Sequence, residues 1–338
     1  MQKKLTSFLL ILGLLCLSFL IYRIGPTVLF DNLKHIGWGV ALVIAIELVV
    51  DALNTRGWQH TLPTAARSVP FFSLYCIRQA GVSVNAVTPT AMLGGEVVKA
   101  MLLRRYVPLS DGLVSVISAK LSLALGQACF AFVGLAVFFQ QLALSSTLKI
   151  ALVGVFFLIV VACTIFLRLQ QRGLFAAFFR LLDLFGVSHT ALTQVREGAS
   201  TIDAKLAFFH ATQRRDFAWS VGFHFLAQVS GAVQIYILLQ WLGASVPFSL
   251  CLAIEAFALL IEGALFFVPG KVGVQEGGKV LIFTALGFTA PTGLTVGVAM
   301  RLNYLAITLL GLLMLAMLQV TSTPDLNATD GTQPVPHG

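Results

Sequence analysis

Two apolar stretches of the chain each carry a glutamate and a lysine at the same distance behind a proline. The first reads Pro89-Thr-Ala-Met-Leu-Gly-Gly-Glu96-Val-Val-Lys99 and the second Pro269-Gly-Lys-Val-Gly-Val-Gln-Glu276-Gly-Gly-Lys279. In each copy the glutamate and lysine are three residues apart, so on a helix they share one face. A helix that starts after a proline break presents free N–H groups and the positive end of its dipole. Aimed into a membrane, such an end suits a phosphate or carboxylate headgroup, and Lys99 and Lys279 add charge there. Glu96 and Glu276 suit a cationic headgroup or a proton relay. The plainer alternative is that each pair is an internal salt bridge that offsets its own burial. Recurrence in both halves of the chain favours a functional reading.

Further ionisable residues fall in apolar sequence. Lys120 follows the first motif and Arg301 the second, in equivalent places, and both suit an anionic group in a shared cavity; snorkelling to the interface is the alternative. Arg78 and Glu255 each lie eight positions after a leading proline, Pro70 and Pro247, and are open to pairing across the repeat or to local partners, the simpler expectation. Glu262 is one more acid of the second motif region. Glu47 and Asp51 are four apart on one helical face, Asp51 toward the interface and Glu47 deeper.

The elements that must position these residues follow from hydropathy. Full spans are expected at Leu5–Ile24, Trp38–Leu53, Gly112–Phe139, Ile150–Leu167, Phe217–Leu242 and Gly293–Leu318. The segments Phe71–Arg105 and Phe248–Leu286 are broken, with Pro89, Gly94 and Gly95 marking one break and Pro269, Gly270 and Gly273 the other. Each is read as a hairpin that enters the membrane and returns to the same side. The upstream runs Pro70-Phe-Phe-Ser-Leu and Pro247-Phe-Ser-Leu also match. The fold class expected is all-α: about six full spans plus two re-entrant broken-helix hairpins in an inverted internal repeat. The transmembrane domain covers residues 1–320, with halves of about 1–145 and 146–320, and a disordered polar tail follows at 321–338.

Charge sets the orientation. Lys3 and Lys4 keep the N-terminus cytoplasmic, and Leu5–Tyr22 reads as a retained span rather than a cleaved signal. The link from Arg168 to Arg215 carries seven basic residues and is also cytoplasmic. Within it Leu174–Leu184, with Arg180 and Asp183, has the character of an interfacial amphipathic helix. Three spans between the hairpins place them on opposite faces. If Phe248–Val268 were a full span instead, the parity would flip and the repeat would be parallel.

Composition excludes several classes. Hydrophobic residues make up 58% and charged residues 11% of the 338, against about 25% charged in soluble domains. The net charge of +8 lies in loops at span ends and does not argue for nucleic acid. Five cysteines in apolar segments and six scattered histidines give neither a disulfide framework nor a metal site. No phosphate-binding loop, hydrolase elbow, zinc-protease or dinucleotide motif is present, so no cofactor is expected.

The run Asn85-Ala-Val-Thr-Pro-Thr-Ala-Met-Leu-Gly-Gly-Glu96-Val-Val-Lys99 and the run Phe266-Phe-Val-Pro-Gly-Lys-Val-Gly-Val-Gln-Glu-Gly-Gly278 resemble the lysylphosphatidylglycerol synthase transmembrane-domain family, also called flippase-like domain proteins. The second run is similar to the branch found with hopanoid biosynthesis genes. The resemblance runs from the first span to Leu318. In two-part members the domain flips an aminoacylated phospholipid made by a separate soluble domain, which is not expected here. The resemblance implies lipid handling in a bacterial inner membrane, without lysyl transfer.

The leading expectation is a non-enzymatic lipid flippase or transporter whose cargo is a polar-headgroup lipid held near Glu96, Lys99, Glu276, Lys279, Lys120 and Arg301. Hopanoid, aminoacylated or glycolipid cargo is what the resemblance suggests. The alternatives are a membrane-embedded headgroup transferase, in which paired carboxylates do acid–base work, and a non-catalytic scaffold for lipid-biosynthesis enzymes.

Overall fold

The computed structural model describes residues 26–88, 94–141, 193–265 and 271–320, with residue 268 and scattered positions between 18 and 22 and between 150 and 179. Among these, all regular structure is helical: α1 (Pro26–Ile36), α2 (Gly39–Gln59), α3 (Phe71–Val87), α4 (Gly94–Leu103), α5 (Leu109–Gln141), α6 (Thr193–Thr212), α7 (Arg214–Trp241), α8 (Phe248–Ala264), α9 (Val274–Ala285) and α10 (Ala290–Val320), with a 3-10 turn at Thr64–Ala66. Pro89, Pro269 and Gly270, most of the spans at Leu5–Ile24 and Ile150–Leu167 and of Leu174–Leu184, and the tail 321–338 lie outside the described residues.

Among the described residues three helices, α5, α7 and α10, are long and apolar enough to cross a membrane. A fourth candidate is α1 with α2, which meet at 68° where Gly37 takes a left-handed φ of 48°. The expected spans at Gly112–Phe139, Phe217–Leu242 and Gly293–Leu318 therefore stand as longer helices.

Both broken segments fold as antiparallel helix pairs. In the first, Asn85 meets Gly95 and Glu96, and Gly81 meets Gly95 and Lys99. Leu74 and Ile77 pack with Ala100 and Leu103 toward the open end. In the second, Glu262 meets Lys271 and Gln275, Ile261 meets Gly278, and Glu255 meets Lys279. The first arms, α3 and α8, have 17 residues each, or about 25 Å at the helical rise. The return arms have 10 and 12 residues. All are short against a hydrocarbon layer of about 30 Å. Pro70 and Pro247 stand immediately ahead of α3 and α8, where a missing N–H costs no helical bond.

The two halves interlock. The helices ahead of each hairpin, α2 and α7, pack side by side and antiparallel: Gly39 lies on Trp241, Val43 and Glu47 on Gln234, Asn54 on His224 and His60 on Asp216. Each long helix after a hairpin crosses the first arm of the other hairpin. Gly134 of α5 presses on Ala256 of α8, and Gly311 of α10 presses on Gln79 and Ser83 of α3. Gln79 and Ala256 hold the same place after Pro70 and Pro247. Small residues at crossings are how helices gain contact in lipid, where apolar burial itself gives no net drive.

The basic link also contains α6, which the hydropathy pattern does not mark. Its Leu206 and Phe209 pack on Val114 of α5, and Lys205 holds Asp111 at 2.5 Å.

Candidate functional site

The interlocking of hairpins and long helices leaves a cavity of about 220 Å³ beside the first hairpin. A water occupies about 30 Å³, so there is room for a small polar headgroup. Its polar wall is built by Glu96 and Lys99 of α4, Lys120 of α5, Arg78 and Asn85 of α3, and Asn54 with His224 from the α2–α7 pair. Lys271 and Tyr304 reach it from the second half.

Glu96 organises this wall. Lys99 Nζ lies 2.8 Å from Oε2 and Lys120 Nζ 2.9 Å from Oε1, so one carboxylate holds two ammonium groups. Asn85 Nδ2 also donates to Oε1 at 3.2 Å. Lys99 is nearly buried and sits 5.9 Å above the Trp58 ring, a cation–π contact. The Lys120 side chain is 40% exposed and is the more open of the two. Arg78 is neutralised by Asp51 at 2.6 Å, and Lys271 by Glu262 at 2.7 Å. The wall therefore carries one cation more than its carboxylates neutralise.

His224 is buried, and its Nδ1 lies 2.7 Å from Asn54 Oδ1. The amide oxygen accepts, so Nδ1 carries the hydrogen and Nε2 keeps a lone pair. Nε2 is buried with no hydrogen-bond partner. It is packed against Gly57 of α2, where a Cβ would lie 2.9 Å from it.

The second motif has a different wiring. Glu276 is fully buried and is held by Arg301, whose Nε lies 2.6 Å from Oε1. Glu276 Oε2 also accepts the N–H of Gly273 at 2.9 Å, capping α9 where Gly273 takes a φ of 77°. Lys279 pairs with Glu255 of α8 at 3.3 Å. The plainer alternative of an internal salt bridge thus holds for Glu96 with Lys99 but not for Glu276 with Lys279. Lys279 points across the hairpin to the first arm, and Arg301 takes the place that Lys120 takes beside Glu96.

Each expected site residue can now be placed. Glu96, Lys99 and Lys120 come together on the cavity wall. Glu276 and Arg301 form a buried pair and Lys279 a separate one, and none of these three is among the cavity-lining residues. Arg78 and Glu255 do not pair with each other; each has a nearer partner, Asp51 and Lys279. Asp51 is buried, held by Arg78 and Gln79. One N–H at each helix start is already engaged: Gly95 donates to Asn85 Oδ1 at 2.7 Å, and Gly273 to Glu276 Oε2 at 2.9 Å. Gly95 also allows close packing, since a Cβ there would lie 1.9 Å from the Gly81 carbonyl oxygen. Asn54, His224, Lys271 and Tyr304 escaped the sequence reading. Lys271, two residues after Pro269, was the one with a visible signal.

Fold and site together define a polytopic α-helical membrane protein with a charged cavity walled by broken helices. The chain belongs to the family described as the lysylphosphatidylglycerol synthase TM region, whose profile matches residues 5–311. It is similar to a UPF0104 membrane protein of Methanothermobacter thermautotrophicus, with 24% identity over 318 residues, covering 89% of this chain and 91% of that protein. No solved structure matches it.

Proposed function

We propose that the protein is a lipid flippase that carries an anionic headgroup through the cavity beside Glu96, with the acyl chains left in the bilayer. The observation that carries this reading is the surplus cation: Lys99 and Lys120 share Glu96 alone. A phosphate entering the cavity competes with that carboxylate for Lys120 and gains charge-assisted hydrogen bonds. Lys271 and Arg78 stand nearby on the same wall to complete its shell. Membership of a family named for a lipid synthase's membrane region supports a lipid cargo.

An inverted repeat supplies the motion. Its support is the antiparallel packing of α2 against α7, the helices that precede each hairpin, and the reciprocal crossing of each long helix over the other half's first arm. Rocking one half against the other then exposes the cavity to either leaflet. On this reading the hairpins are re-entrant: the return arms, of 10 and 12 residues, are too short to span, and the first arms sit at the lower limit of spanning length.

The test is scrambling by the purified chain in phosphatidylcholine vesicles carrying tail-labelled phosphatidylglycerol, with dithionite quenching the outer leaflet. The expected result is bleaching beyond the outer-leaflet half for wild type and not for a folded Lys99→Gln, Lys120→Gln double variant. Equal scrambling by that variant sinks the site. Chemical turnover of the labelled lipid would establish the transferase alternative instead.

A further inference from the structure

The charges buried between the helices do not pair out evenly. Among the carboxylates of α2 and the two hairpins, Asp51, Glu96, Glu255, Glu262 and Glu276 each hold a cation. Glu47 is the exception among the described residues. Its partners are two amides, Gln234 Nε2 at 2.8 Å and Asn303 Nδ2 at 3.0 Å, both donating to Oε2. Asn303 is 3% exposed, and its own Oδ1 is buried with no partner. A half-turn of that amide presents Oδ1 to Glu47, where it accepts from a protonated carboxyl. The site is thus equipped for both states of the acid: Nδ2 donates to the carboxylate, and Oδ1 is a spare acceptor for the acid form.

We propose that Glu47 is the proton-binding group of this carrier and takes up one proton when an anionic headgroup occupies the cavity. The proposal rests on the lipid-carrier reading above. Glu47 leaves one negative charge unpaired, and Lys99 with Lys120 leaves one positive charge in excess. Among the described residues Glu47, Asp51, Glu96, Glu255, Glu262 and Glu276 balance Arg78, Lys99, Lys120, Lys271, Lys279 and Arg301, so the empty interior is neutral, and a phosphate monoanion makes it net negative. A proton on Glu47 restores neutrality, so the loaded carrier crosses uncharged, which a low-dielectric interior favours. Asn54, on the cavity wall, lies seven residues along α2 from Glu47, about 10 Å at the helical rise.

The other titratable and charged groups on the packed elements are already committed. Asp51 on α2 and Arg78 on α3 hold each other, as do Glu255 on α8 and Lys279 on α9, and Arg301 on α10 and Glu276 on α9. Glu262 on α8 holds Lys271, Lys99 and Lys120 hold Glu96, and His224 on α7 bonds Asn54. Coupling is reciprocal: protonation of Glu47 tightens anion binding by the factor by which the anion raises the proton affinity.

The test uses the full chain in detergent, titrated calorimetrically with glycerophosphoglycerol, a phosphodiester that stays a monoanion and carries no titrating group of its own near neutral pH, in two buffers of different ionisation enthalpy. The pH is that at which the protonated-carboxyl infrared band of the wild type titrates. The expected result is uptake of up to about half a proton per anion by wild type, because the carboxyl is half protonated at that pH before the anion binds, and none by Glu47→Gln, with anion binding retained. Uptake unchanged in Glu47→Gln, or binding by wild type with no uptake, overturns the proposal. Absence of any anion binding overturns the headgroup reading and the coupling with it. The proton site is then decided separately by the infrared band, whose absence from wild type, or persistence in Glu47→Gln, overturns it. Asn303→Leu serves if Glu47→Gln fails to fold. It removes the amide that stabilises the carboxylate, so the band must titrate at higher pH; an unmoved midpoint overturns the assignment.

Discussion

Arg301 and Glu276 form a buried ion pair, with Nε 2.6 Å from Oε1 and the glutamate closed to solvent. Breaking such a pair leaves one charge uncompensated, at a cost of about 3–5 kcal/mol, whereas replacing both partners with apolar groups is often neutral. Glu276→Gln is therefore expected to lower the melting point of the purified protein sharply. A Glu276→Met, Arg301→Met double variant is expected to recover most of it. Fluorescence-detected thermal melting reads both. A single variant as stable as wild type would mean that the pair contributes nothing to folding.

Glu96 behaves differently, because it competes with the cargo instead of only holding the fold. Glu96→Gln frees Lys99 and Lys120, and each hydrogen bond to a charged group is worth about 1.5–3 kcal/mol. The variant is expected to bind sn-glycerol 3-phosphate about ten- to a hundredfold more tightly and to scramble phosphatidylglycerol more slowly, since release is impeded. Calorimetry and the vesicle assay check the two halves of this prediction. Weaker anion binding in Glu96→Gln would show that the glutamate recruits the cargo.

How much of this was legible beforehand depended on whether the signal was local. The hairpins were readable because proline, glycine and charge break an apolar run at one place, as with Glu96 and Lys99. The equivalence of Lys120 and Arg301 was readable from their position after each hairpin. The partners were not. Lys279 bonds to Glu255 and not to Glu276 because hairpin packing, not helical spacing, sets which charge comes nearest. Asp51 gave no sign of being buried, because its partner Arg78 comes from another helix. His224 looked like one scattered histidine until α2 and α7 were seen side by side, with Asn54 against its ring. Helix α6 was missed because its apolar residues form a narrow stripe in polar sequence and draw their stability from α5.

The Gly81–Gly95 contact makes a steric prediction for the first hairpin. A Cβ on Gly95 would fall 1.9 Å from the Gly81 carbonyl oxygen and 2.6 Å from the Asn85 side chain. Gly95→Ala must push α4 from α3, displacing the Glu96 carboxylate from Asn85. Overpacking of this kind costs about 1–3 kcal/mol. Reduced thermal stability together with slower scrambling is expected. Gly198→Ala, where nothing lies within 4 Å, is the control and should behave as wild type. A Gly95→Ala protein that melts and scrambles as wild type would show that the hairpin arms are not in close contact.

His210, at the end of α6 and outside the spans, makes stability depend on pH. It is buried between the Phe209 and Phe217 rings, and this burial pushes its imidazole below the ordinary histidine range. The folded state therefore prefers the neutral ring. Its contribution is fully present above the unfolded pKa of about 6.5 and is lost as pH falls toward the lower folded value. The melting point of wild type is expected to drop on acidification through this window, and that of His210→Phe to drop less. The carboxylates shared by both proteins cancel in the difference. Parallel pH curves for the two proteins would show that the His210 ring is as well solvated in the folded chain as in the unfolded one.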